Sequence, residues 1–123
     1  MDTPAPKRHP TLTRLRRYCA SLPENEEVEA WGHPTFRAGK KIFATWGAKD
    51  GVPSIGVKQT LEQQAHWIEQ DGFFIPQYVG HHGWVSFYAD EVPWETAEAI
   101  IEDSYRQVAL KRMVKALDEQ QSD

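Results

Sequence analysis

A single α+β domain, one antiparallel β-sheet with helices packed on one face in the order α-β-β-β-β-α-β-α, is what the sequence predicts. Three observations carry that prediction. Residues 26–58 alternate short aromatic or β-branched runs with glycine-containing turns. Thr11–Leu22, Thr60–Gly72 and Pro93–Leu117 instead repeat apolar residues at helical spacing. The chain of 123 residues, 40% hydrophobic with five tryptophans, suffices for one core and is short for two. Residues 11–117 therefore read as one domain, with a flexible lead over 1–10 and a frayed tail over 118–123.

Taken in order, Thr11 is placed to cap a first helix behind Pro10, and Leu12, Leu15, Cys19 and Leu22 share one face. Pro23 ends it, because the residue before a proline is pushed out of the α region. Glu26–Trp31 is the first strand, with Val28 toward the core. The stretch Trp31–Gly47 is a tight hairpin whose turn is Ala38-Gly39-Lys40. Asp50-Gly51 marks the next turn, and Ser54–Lys58 the fourth strand, with Ile55 and Val57 inward.

Thr60 and Gln63 form a capping box for a second helix, whose expected buried face is Leu61, Ala65 and Ile68. Gly72 stops it. Phe73–Pro76 is short and apolar, Gln77–Gly83 loop-like, and Trp84–Tyr88 the fifth strand. Pro93 opens a last helix in which Trp94, Ala97, Ile101, Tyr105, Val108, Met113 and Ala116 mark one stripe to about Leu117.

Composition narrows the function classes. Cys19 is the sole cysteine, which excludes an intrachain disulfide and a thiolate metal cluster and fits a reducing compartment. No apolar run approaches the ~20 residues of a membrane span. The opening MDTPAPKRHP lacks a signal peptide's apolar core, so a cytoplasmic protein without membrane contact is expected. The net charge of −4 is unevenly spread: residues 31–58 hold Arg37, Lys40, Lys41, Lys49 and Lys58 against Asp50 alone, five minus one, a local +4.

Candidate chemistry is sparse. His81 and His82 lie between glycines, but neighbouring histidines point apart, and His33 could join them only through the fold. Cys19 falls on a buried face, where a thiol is inert. No serine has a nucleophile-elbow pattern, and no phosphate-binding glycine loop occurs. The tryptophans are expected mostly in the core. Arg37, Lys40 and Lys41 project from a rigid turn in the manner of a wing on a DNA backbone, although lysines there also keep edge strands from pairing.

Several segments carry a resemblance. Trp31-Gly32-His33-Pro34-Thr35-Phe36-Arg37 followed by Gly39–Ala44 looks like the signature hairpin of the MmcQ/YjbR family. Tyr78–Val85 and Asp103–Val108 agree with that family in order and spacing, as does the leading helix ending in Leu22-Pro23. The similarity runs from about Thr11 to Val108. It implies a compact α+β fold compared with frataxin-like proteins and secretion chaperones, described as a double-wing, DNA-binding fold.

The leading expectation is thus a non-enzymatic, cofactor-free protein that contacts DNA phosphates through Arg37, Lys40, Lys41, Lys49 and Lys58. An alternative is a protein-interaction or chaperone-like module offering an apolar surface near Trp84 and Tyr78 to a partner or a second copy. A third is an enzyme or metal site at His81-His82 with His33.

Overall fold

Three two-residue turns create most of the sheet. Trp31-Gly32 and Asp50-Gly51 both take positive φ (+53° and +80°, +51° and +80°), the type I′ pattern that matches strand twist. Gly39 alone is positive (+68°) in the turn before Lys40. These turns join β1 (Asn25–Ala30), β2 (His33–Ala38), β3 (Lys41–Lys49) and β4 (Val52–Val57). The computed structural model describes residues 6–122. In it β5 (Phe73–Phe74) and β6 (Val85–Tyr88) complete a six-stranded antiparallel sheet in the order β1-β2-β3-β4-β6-β5. The helices are α1 (Pro10–Ala20), α2 (Leu61–Trp67), α3 (Trp94–Val108) and α4 (Lys111–Gln121).

One face of the sheet holds the core. Phe36, Ala44, Trp46, Ile55, Val57, Val85 and Phe87 meet Leu12, Leu15 and Cys19 of α1, Ile101 and Tyr105 of α3, and Met113 and Leu117 of α4. A β-bulge is part of this. Phe36 pairs with Ala44 but Arg37 with Ile42, so Phe43 is an extra residue on β3. Phe43 and Ala44 therefore both turn inward, and the Phe43 ring meets Tyr105 edge-on at 5.4 Å. The Tyr105 hydroxyl donates to the Pro23 carbonyl at 2.6 Å, which ties α3 to the end of α1. The opposite face carries Thr45, Gly56 and Ser86 side by side. A Cβ on Gly56 would lie 2.7 Å from Thr45 Oγ1, so a larger residue there would force the Thr45 side chain to shift.

Several sequence expectations need correction. Helix α1 starts at Pro10, because His9 rather than Thr11 is the cap: its Nδ1 accepts from the Thr11 amide at 3.1 Å. Of the expected flexible lead, residues 1–5 lie outside the described residues. Beyond them, the Pro6 carbonyl accepts from Trp46 Nε1 at 2.9 Å, which docks this segment. On α2 the expected buried face is largely wrong. Leu61 is 60% exposed and Ile68 and Ala65 also face solvent, while Gln64 is buried. The helix docks through polar bonds: Gln64 Nε2 donates to the carbonyls of Gly80 (2.6 Å) and Trp84 (2.7 Å).

Phe73–Phe74 forms a strand where the sequence predicts only a short apolar stretch; two residues are too few for an alternation to show. The last helix is two helices. Ala109 and Leu110 are extended, and α4 folds back along α3. Arg106 holds Asp118 at 2.8 Å and Gln121 holds Glu102 at 2.6 Å, so the expected frayed tail is helical through Gln121.

Candidate nucleic-acid interface

The β2–β3 turn is built for close approach. Gly39 needs its positive φ, and a Cβ there would sit 3.4 Å from Met113 Cε and 4.0 Å from the Leu110 side chain. The turn is thus packed against the first turn of α4. Lys40 and Lys41 follow Gly39 directly, Lys111 follows Leu110 directly, and Lys115 stands one helical turn further on. All four lysines are exposed. Arg112 between them is neutralised: it donates twice to Glu24, each bond 2.9 Å, which holds that carboxyl below its usual range. Helix α4 has no acidic residue in its first turn and no side-chain cap. Positive side chains there add to the positive end of the helix dipole.

The remaining three basic residues expected to bind phosphate are dispersed. Arg37 lies on the face opposite the core, half-buried and paired across the strands with Glu26. Its Nε donates to Thr35 Oγ1 at 3.4 Å. Lys49 is at the other end of the sheet, beside the Asp50-Gly51 turn, with its Nζ 4.5 Å from the centre of the Phe74 ring. Lys58 is committed to main-chain carbonyls, donating to His82 (2.7 Å) and Gln59 (3.2 Å). In α1, Arg16 is paired with Glu27 at 3.0 Å, whereas Arg14 and Arg17 are exposed. The structure therefore brings Lys40 and Lys41 to the start of α4, whose Lys111 and Lys115 lie on the solvent side of that helix, away from Met113. The run Lys111-Arg112-Met113-Val114-Lys115 was visible, but its neighbourhood is tertiary.

His81 and His82 do not point apart as expected, since their ring centroids are 3.9 Å from one another, but His33 does not join them. His33 pairs with Ala30 beside the Trp31 turn, whereas His82 bonds Lys58 at the end that carries Gly39. No three His, Cys, Asp or Glu side chains among the described residues are grouped to hold a metal ion. Cys19 is fully buried, and desolvation pushes its thiol well above its usual pKa.

A family model described as YjbR matches residues 20–107. The chain belongs to the YjbR family. Two solved structures share the YjbR chain's fold. One, the Deinococcus radiodurans protein DR2400 with a domain termed DUF419, is 20% identical over 87% of each chain, with a TM-score of 0.70. The other, a protein from Pseudomonas syringae, is 16% identical over 78% of this chain and 97% of its own, with a TM-score of 0.68. No curated protein matches the chain.

The aromatic residues of this YjbR domain divide unevenly. Trp46 is buried, Trp67 and Trp94 pack against the core, and Trp84 is half-buried. Trp31 is the exception, 85% exposed at the tip of the first hairpin. Tyr78, 88% exposed with φ +66°, stands in the loop before Gly80–His82. No helix of the described residues is long and apolar enough to cross a membrane.

Proposed function

We propose that this YjbR-family protein binds nucleic acid through the phosphate backbone, at the edge where the Gly39 turn meets α4. The observation that supports this reading is the packing of Gly39 against Leu110 and Met113, which brings Lys40 and Lys41 to the end of the molecule where α4 starts with Lys111 and Arg112. An overall charge of −4 then coexists with a local run of basic residues, and two acids of this region are already paired, Glu24 with Arg112 and Asp118 with Arg106. Such contacts position a duplex without reading bases, so binding has little sequence preference and a steep salt dependence.

The test is an anisotropy titration of a fluorescent duplex at several salt concentrations. Contacts by about four lysines give a slope of log K against log salt near −3 to −4 for B-DNA. Lys40→Glu with Lys41→Glu, and separately Lys111→Glu with Lys115→Glu, each weaken binding. A salt-independent affinity, or one that survives both pairs, overturns the proposal.

A second reading, a protein-interaction module, is favoured by one observation. Ile75, Tyr78 and Val79 are exposed in the loop after β5, and that loop packs on the start of α2 at Leu61, itself 60% exposed. These side chains form an apolar surface at the opposite edge of the sheet from β1.

A further inference from the structure

Between α2 and α3 lies an open cleft of about 310 Å³, lined by Gln59, Gln63, His66, Trp67, Ile100 and Asp103. Its hydrogen bonds are arranged with one polarity. Asp103 Oδ2 accepts from three amides, Gln59 (3.1 Å), Gln63 (3.2 Å) and Gln107 (2.9 Å). The Gln59 side chain is 1% exposed and cannot turn, because its Oε1 accepts from Trp67 Nε1 at 3.1 Å. Gln63 Oε1 is likewise occupied, by the Thr60 amide (2.9 Å) and Gln107 (2.9 Å).

Most of the amide donors are thereby consumed within the protein, one N–H of Gln63 excepted. The larger unused capacity is that of an acceptor: Asp103 Oδ1 receives no hydrogen bond among the described residues. Asp103 also has no cationic partner there, unlike its neighbour Glu102, which pairs with Arg106 at 3.2 Å. No lysine or arginine lines the cleft, and its walls are the indole of Trp67 and the side chain of Ile100.

From this juxtaposition we infer that the cleft binds a guanidinium cation, with its N–H groups donated to Asp103 and its planar, weakly hydrated face against the apolar walls. A carboxylate with a free oxygen beside an aromatic ring suits that group on three counts: charge, donor number and planarity. An anionic ligand would meet the unpaired Asp103 carboxylate at close range, with only one Gln63 N–H and the His66 ring to donate to it. The guanidinium could belong to a small free molecule or to an arginine side chain of a peptide; the recognition chemistry is shared. The three glutamines hold the carboxylate in place and are positioning residues, anchored on α2, α3 and the β4–α2 connection.

The experiment is an NMR titration of the full chain, following the Trp67 indole N–H and the glutamine side-chain amides, with agmatine and with the tripeptide Gly-Arg-Gly as probes and Gly-citrulline-Gly, whose side chain is uncharged, as the control. Saturable shifts confined to this cleft are expected, with a Kd on the order of 1 mM. Asp103→Asn removes the charge and weakens binding by about tenfold or more. Should that variant unfold, Ala99→Leu serves instead: Ala99 is exposed at the cleft wall, so a bulkier apolar side chain there obstructs the cleft without adding a charge that would pair with Asp103. Tighter binding of the tripeptide than of agmatine assigns the group to a peptide, and the reverse order to a small molecule. Absence of saturable shifts, equal response to Gly-citrulline-Gly, or binding undiminished in the folded variants overturns the inference.

Discussion

Lys58 Nζ donates to the main-chain carbonyl of His82 at 2.7 Å, linking the end of β4 to the 3₁₀ turn that precedes β6. A charged donor on a carbonyl is a strong hydrogen bond, and the same ammonium also bridges to Gln59. Lys58→Met keeps the aliphatic stem and removes both bonds. We expect a loss of about 1 kcal/mol in urea unfolding. Amide exchange over residues 77–83 should also accelerate. An unchanged exchange pattern would show that the loop is held by other contacts.

Gly83 and Gly32 separate steric clash from backbone strain. Both take positive φ, +96° and +80°, but a Cβ on Gly83 would lie 2.4 Å from the Gln59 carbonyl oxygen, while nothing lies within 4 Å of one on Gly32. Gly32→Ala should therefore lose about 1 kcal/mol, the strain alone. Gly83→Ala should lose at least about 3 kcal/mol, since the backbone itself has to move. Equal losses in denaturant melts would contradict this packing.

The hairpins were legible because their determinants are local. Gly39 and Asp50-Gly51 announce their turns, and the Thr60–Gln63 capping box closes as expected, with bonds of 2.9 and 3.1 Å. The buried face of α2 was not legible. Its anchor is Gln64, whose partners are carbonyls sixteen and twenty residues away. Nor does any proline or glycine announce the break after Val108, which follows from Met113 and Leu117 returning to the core. The basic edge was half legible. Lys40 and Lys41 could be read from the turn, but the docking of that turn on Leu110 and Met113 depends on that same break.

Trp31 occupies a left-handed position, φ +53°, with 85% of its surface exposed. Asparagine suits the first central position of a type I′ turn far better than tryptophan. With so little of the indole packed, Trp31→Asn should stabilise the protein, by about 0.5–1 kcal/mol. A melting temperature below the parent's would mean that the ring makes a contact on which the fold depends.

The dispersion of the basic residues predicts a pattern of effects on duplex binding. Lys49→Ala alters the far end of the sheet and Lys58→Met an internal latch, so each should leave affinity within about twofold. Lys111→Ala should weaken it by several-fold and lower the salt slope by about 1. Equal effects at all three positions would favour diffuse electrostatic attraction over a defined edge.

Alkaline pH should reveal Cys19. Burial pushes its folded-state pKa up, with the nearby Glu27 carboxylate adding to the rise. In the unfolded chain the same thiol loses its proton near pH 8.5. Above that pH the unfolded state binds fewer protons than the folded state, so stability falls as pH rises, by up to about 1.4 kcal/mol per pH unit from this group. Tyr18 and Tyr105, whose pKa values burial also raises, add to the loss only near pH 10. Cys19→Ala should be less stable at neutral pH by about 1 kcal/mol, through the small cavity it leaves. Between about pH 8.5 and 10 its stability should nevertheless decline less steeply than the parent's. Urea unfolding of both proteins at pH 7, 9 and 10 measures the difference, and parallel declines would mean that the thiol is not the group responsible.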